Sequence, residues 1–338
     1  MLDSGLAILG RRLVLAVPTL VVVSLLVFVV LRLIPADPLA MSLPPNASAA
    51  DVAAMRHAMG LDRSIPVQFA IWLGQIARGN LGTSIQFHQK VTELILAALP
   101  TTLELVASGL ALGALLGMGF GLAMFQWRGT GAEQAADLGS TVVMSIPEFL
   151  WAILLILGVG VGLRWLPFIG RINPQMTIAP VTGFLLVDTL IAGNLPGFLS
   201  VLAHLALPAL SLGLGLAPLI MRVLRSSLFD TYVEDYITLA RLRGLSERRI
   251  LIRHALKNAA LPTVSLIGVQ AGFMFGGTLL VEVIFTLPGI GNLMVQALHN
   301  HDLPLIQGIA LVYCVIVLAI NTVVEIAYLG LNPRLRRT

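Results

Sequence analysis

Charge is scarce in this chain. Of its 338 residues only 11% are Asp, Glu, Lys or Arg, against about 25% in a soluble domain. Apolar residues make up 57%, and the mean hydropathy is +0.92. Such a chain cannot cover a water-facing exterior, so it reads as an all-α polytopic membrane protein. Cysteine occurs once, as Cys314 in an apolar run, which excludes an internal disulfide and a cysteine-based metal cluster. Lysine occurs twice, as Lys90 and Lys257, followed by Val91 and Asn258. A phosphate-cradling loop needs Lys then Ser or Thr after a glycine-rich run, so no ATPase site is expected. None of the six histidines opens an H-E-x-x-H sequence, so zincin-type intramembrane proteolysis is not indicated.

Six apolar stretches are present. They run at about Leu13–Ile34, Leu99–Phe125, Asp137–Val161, Val201–Val223, Leu261–Phe285 and Leu305–Leu329. At about 1.5 Å per residue each reaches across a hydrocarbon layer of about 30 Å. The first has no small-residue cleavage site after it and is expected to be retained. With six spans both termini lie on one side. Lys and Arg then divide as 14 on that side against 7 on the other, out of 21. The excess marks that side as cytoplasmic and accounts for a pI of 9.7 without nucleic acid.

Within the second stretch Gly109, Gly113, Gly117 and Gly121 recur every fourth residue, a stripe that permits close helix packing in lipid. Pro147 is expected to bend the third stretch, and Pro208 and Pro218 to interrupt the fourth. Glu148 follows Pro147 at membrane depth, so it lines a path or pairs with a neighbouring helix. Glu282 and Ser145 are further pathway candidates. Residues Val181–Ile191 are apolar but short, and are expected at the interface or re-entering. In the first long polar region a short helix is expected over Ser48–Met59 and an amphipathic one over Val67–Ile76. Gly79-Asn80-Leu81-Gly82-Thr83-Ser84 has turn composition. His299, His301 and Asp302 are potential metal ligands in a loop, although a plain polar loop explains them as well and no metal site is assigned.

The longest polar stretch, Tyr232–Pro262, lies between the fourth and fifth spans and carries Arg241, Arg243, Arg248, Arg249, Arg253 and Lys257. Its pattern is helical up to Arg243. Gly244 suits the left-handed position that ends a helix. Ser246 is placed to cap a second helix, and Glu247 sits in its first turn. Pro262 suits the first turn of the following span. A cationic helical hairpin outside the lipid suggests a docking surface for a cytosolic partner.

This hairpin resembles the cytoplasmic loop, often called the EAA loop, of ATP-binding-cassette importer permeases of the dipeptide/oligopeptide/nickel group. Thr238-Leu239-Ala240, Gly244 and Leu245–Arg253 carry the likeness, with Thr238 and Leu239 departing from the motif. The turn at 34–38, residues 79–84, Pro100–Leu105, Thr286–Gly291 and the basic tail at 332–337 are similar to elements of the same family. Ala36, Asn80 and Glu148 depart from it. The resemblance implies a type I importer permease architecture with six transmembrane helices, cytoplasmic termini and a bacterial inner-membrane location. On that basis residues 1–34 form an N-terminal span, 35–97 an outer region and 98–330 a permease core. The core contains the coupling loop 227–262, and 331–338 form the tail. Ala240, Gly244, Leu245, Ser246, Glu247, Arg248, Arg249 and Ile250 are then the ATPase-coupling residues. The implied partners are a homologous second permease, two cytosolic ATPases that hold the ATP and Mg, and an extracytoplasmic solute-binding protein. The implied cargo is peptide, with nickel, metal chelates or glutathione as alternatives. An ATP-independent channel or secondary transporter is the competing class, with Glu148 and Glu282 as its coupling acids. A membrane enzyme lacks any motif.

Overall fold

The computed structural model describes residues 2–33, 50, 57 and 62–331. The turn expected at 34–38, the basic tail at 332–337 and most of the helix expected over 48–59 lie outside them. In chain order the helices are α1 (Leu2–Leu33), α2 (Ile65–Ile76), α3 (Val91–Gln126), α4 (Gly131–Ser145), α5 (Glu148–Leu155), α6 (Leu185–Ile191), α7 (Leu195–Tyr232), α8 (Asp235–Leu242), α9 (Glu247–Ile250), α10 (Leu256–Ile284), α11 (Ile290–His299) and α12 (Leu303–Leu331). Wider π-helical turns continue α5 over Ile156–Gly162 and join α9 to α10 over Leu251–Ala255. Among the described residues five helices are long and apolar enough to cross a membrane, and α4 with α5 makes a sixth span if the pair is counted as one.

The third stretch is more than bent. The chain turns by 99° between its two halves, because Pro147 has an extended backbone and stands just before α5. The opposite correction applies to the fourth stretch. Pro208 and Pro218 lie inside one unbroken 38-residue helix. A proline removes one backbone donor, but a membrane helix is held by its packed neighbours, and Pro208 and Pro218 are both buried. Pro262 likewise lies inside a continuous helical stretch, Glu247–Ile284, rather than at its start.

The chain divides into two compact units: residues 1–100 with 288–319, and residues 101–287 with 320–338. In the first, Leu31, Val91, Ile95, Ile290, Leu305 and Ile309 form a buried cluster. The amphipathic α2 lies on α1 through Phe69 and Trp72, whose rings sit 5.4 and 5.6 Å from that of Phe28. In the glycine-rich turn, Gly79 and Gly82 have φ of 78° and 88°. Ser84 closes that turn by donating to Asp302 Oδ2 at 2.5 Å. Asp302 Oδ1 accepts from the Leu305 amide, so this carboxylate caps α12.

In the second unit the glycine stripe of α3 faces α7. A Cβ on Gly109 would meet Leu212, on Gly113 Leu216, on Gly117 Ile220, and on Gly121 the Met221 carbonyl. The period of four keeps one backbone against the other for four turns, which is where close van der Waals contact arises in lipid. Helices α5 and α10 also pack on α7.

Candidate functional site: a basic helical hairpin

Helix α8 ends at Leu242, and Gly244 follows with φ of 75°. The Leu245 amide donates to the Ala240 carbonyl at 3.3 Å and the Gly244 amide to that of Arg241 at 2.9 Å. This double bond pattern is a Schellman ending, which needs a left-handed residue at the glycine position. Ser246 precedes α9 with an extended backbone, as the sequence suggests, but its hydroxyl makes no capping bond. A side-chain pair braces the turn instead: Arg241 Nε donates to Glu247 Oε1 at 2.8 Å. The expected separate helix over Leu245–Arg253 is corrected. It starts at Glu247 and runs through the π-helical turn into α10 without a break.

The hairpin has two chemically different sides. Ile237 and Ala240 of α8, and Ile250, Leu251 and Ala255 after the turn, are buried with Leu224, Leu228 and Phe125. Leu245 packs on the same cluster. Arg128 stacks over Phe125 at 4.6 Å and Arg241 over Tyr232 at 5.3 Å, and Asn258 donates to the Tyr236 hydroxyl at 2.8 Å. These contacts fix the hairpin on the ends of the spans. On the other side Gly244, Ser246, Glu247, Arg248, Arg249 and Arg253 are exposed. Val233 and Leu242 are 82% and 80% exposed beside them. Among the described residues no carboxylate pairs with Arg243, Arg248, Arg249 or Arg253. Unpaired arginines next to exposed aliphatic side chains on an anchored element suit docking to a protein surface.

The pathway candidates are placed differently from one another. Glu148 opens α5, half-buried. Its carboxylate lies over Gly215 of α7 and Gly277 of α10, where a Cβ on either glycine would strike it. Among the described residues no donor or cation pairs with it. Glu282 of α10 is fully buried, and Thr102 donates to its Oε1 at 2.7 Å. Ser145 is exposed at the end of α4 and donates to the Thr141 carbonyl. His299 and His301 are exposed, whereas Asp302 is buried and engaged with Ser84. Among the described residues no three His, Cys, Asp or Glu side chains converge.

A polar network went unread in the sequence. Glu104 of α3 pairs with Arg171 at 2.7 Å and accepts from the Leu186 amide at 2.8 Å. Arg171 also donates to the Gly183 carbonyl. Beside it the Asp188 carboxylate collects the amides of Val181, Thr182 and Gly183 and the Thr182 hydroxyl. These bonds, the Thr182 hydroxyl first, hold the Asp188 carboxyl below the usual carboxylate range. An acid five residues into the second stretch and two arginines between the third and fourth, Arg164 and Arg171, were the available signals.

Comparison with known proteins agrees with the geometry. The profile of the family described as "Binding-protein-dependent transport system inner membrane component" matches residues 109–337, and its N-terminal companion matches 6–106. The chain is 36% identical over 332 residues to a di/tripeptide transport system permease protein of Pseudomonas aeruginosa, covering 98% of this chain and 99% of that one. It is 34% identical to the dipeptide transport system permease protein of Escherichia coli K12, with 96% and 97% covered. It is 32% identical to a glutathione transport system permease protein of Salmonella choleraesuis, with the same coverage. A chain of the inward-facing MetNI methionine ABC transporter superposes with a TM-score of 0.54 at 14% identity, over 71% of this chain and 96% of that one.

Proposed function

The chain belongs to the binding-protein-dependent transport system inner membrane component family, and from that membership we propose that it forms half of the pathway of an ABC importer for short peptides. A second, homologous permease supplies the other half. Two cytosolic ATPases dock on the hairpin, and an external solute-binding protein delivers cargo. Both termini are then cytoplasmic, on the hairpin's side.

The observation that carries this reading is the hairpin's two-sidedness. Ile237, Ala240, Ile250 and Leu251 fix it to the spans, while Arg248 and Arg249 face outward. Because α9 runs without a break into α10, a push on Arg248 or Arg249 moves that span as one rod. Movement of the ATPases thereby reaches the membrane without a flexible joint. ATP and Mg are held by the partners, and Ala240, Gly244, Leu245, Ser246, Glu247 and Ile250 act here as structure that transmits force. An ATP-independent channel would have no use for such a surface.

Peptide cargo is supported by the names of the relatives from Pseudomonas and Escherichia. The Salmonella relative supports glutathione as a second reading. The test is uptake of a labelled dipeptide into proteoliposomes holding the assembled transporter, its binding protein and ATP. Uptake competed by unlabelled dipeptides but not by glutathione supports the peptide reading. Competition by glutathione alone replaces it, and uptake without ATP overturns the importer assignment.

A further inference from the structure

A cavity of about 590 Å³ opens in the first unit between the last turn of α1, helix α2 and the start of α12. One wall is apolar and aromatic, made by Phe28, Ile71 and Trp72. The polar lining holds two arginines beside His57 and neutral amide and hydroxyl side chains. Arg32 lies in the last turn of α1 with its guanidinium 5.1 Å from the Phe28 ring centre, and its Nε is buried without a partner. Gln307 of α12 is 4% exposed, and its Nε2 also lacks a partner. Arg63 stands at the rim. Among the described residues no carboxylate pairs with either arginine, and the nearby Asp62 is engaged by His57 at 2.6 Å.

Buried donors left unpaired are rare because each is costly. Here the Nε of Arg32 and the Nε2 of Gln307 are two such donors, and with Arg63 they line one space, which is the chemistry of an anion site. The position narrows the anion. Residues Val14–Leu33 form a 20-residue apolar span, about 30 Å long, so Arg32 stands at the level of lipid headgroups. Ile71 of the lining and Leu33, next to Arg32 in the chain, are exposed, and acyl chains would run against them.

We propose that this cavity holds the phosphate of an anionic phospholipid, bound by Arg32, Arg63 and Gln307 with its acyl chains against the exposed apolar residues. Phosphatidylglycerol is favoured over phosphatidylcholine because its net negative charge meets Arg32 and Arg63, whereas the phosphate charge of phosphatidylcholine is offset by its own ammonium. Basic pockets beside membrane helices bind anionic headgroups by this logic.

The experiment uses the assembled transporter in nanodiscs of phosphatidylcholine alone or mixed with phosphatidylglycerol. Native mass spectrometry counts the lipid retained after detergent washing, and thermal unfolding gives Tm. The expected result is preferential retention of phosphatidylglycerol and a higher Tm in its presence. Arg32→Gln should weaken retention about fivefold, and the exposed Arg63→Gln should weaken it less. Inorganic phosphate added to phosphatidylcholine nanodiscs should leave Tm unchanged. Equal retention of the two lipids by the wild-type protein overturns the proposal, as does wild-type retention in Arg63→Gln and Arg32→Gln. A Tm rise with phosphate alone assigns the cavity to a free anion and overturns the lipid. If Arg32→Gln does not assemble, Gln307→Leu takes its place with the same two outcomes.

Discussion

At the scale of single residues, three positions carry most of the consequence. Gly244 has φ of 75° and open space where a Cβ would go, so any cost of substitution is conformational. Valine at such a φ costs about 1–2 kcal/mol, about tenfold in the population of the correctly closed turn. We expect Gly244→Val to lower transport by about that factor while ATP hydrolysis continues uncoupled. Parallel uptake and ATPase assays check it, and unchanged uptake refutes it. Glu148 differs: its carboxylate rests in notches made by Gly215 and Gly277. Gln at 148 keeps the shape and removes the charge. A path-lining role predicts altered uptake of cationic peptides with assembly intact, and a packing role predicts loss of assembled complex. Wild-type behaviour in both assays rejects both roles. Asp188 is 1% exposed and its carboxyl is held below its usual range, chiefly by the Thr182 hydroxyl. A depressed folded pKa gives stability that is present above the unfolded value, about 4, and lost as pH falls through the folded one. Tm of the wild-type transporter should exceed that of Asp188→Asn at neutral pH, and the gap should close below about pH 4. A gap that persists in acid contradicts this.

At the scale of elements, the glycine stripe shows how unevenly one pattern can matter. A Cβ on Gly117 would come within 2.6 Å of Ile220 Cβ and 2.7 Å of the Ala217 carbonyl, whereas on Gly121 its nearest neighbour would be 3.1 Å away. Gly117→Ala must therefore push α3 and α7 apart, an overpacking cost of about 1–3 kcal/mol. Gly121→Ala should cost clearly less. Yield and Tm of the assembled transporter rank the two, and equal losses, or a larger loss at Gly121, would show that the stripe does not set the helix spacing. The spacing of four was legible in the sequence because small residues repeat only where backbones approach. The hairpin's Gly244 was legible for a related reason, since a single residue type suits the left-handed ending. Proline was read less well. Pro147 breaks its span by 99°, while Pro208, Pro218 and Pro262 lie inside continuous helices. The outcome depends on what packs around each freed carbonyl, which local sequence does not contain. The Glu104–Arg171 pair was missed because its partners are 67 residues apart.

At the scale of the whole molecule, an anchored cationic hairpin continuous with a membrane span is the feature the importer account depends on. Single-cysteine cross-linking tests that dependence most directly. The background is Cys314→Ser, which removes the one native thiol. Ser246→Cys places a new thiol on the exposed side of the hairpin, and the partner is a cysteine on the surface of the coexpressed ATPase. The account predicts a disulfide-linked permease–ATPase product from Ser246→Cys, with none from a cysteine at Leu33 on the first span. Absence of the product at position 246, in a complex that still imports peptide with ATP, would contradict it.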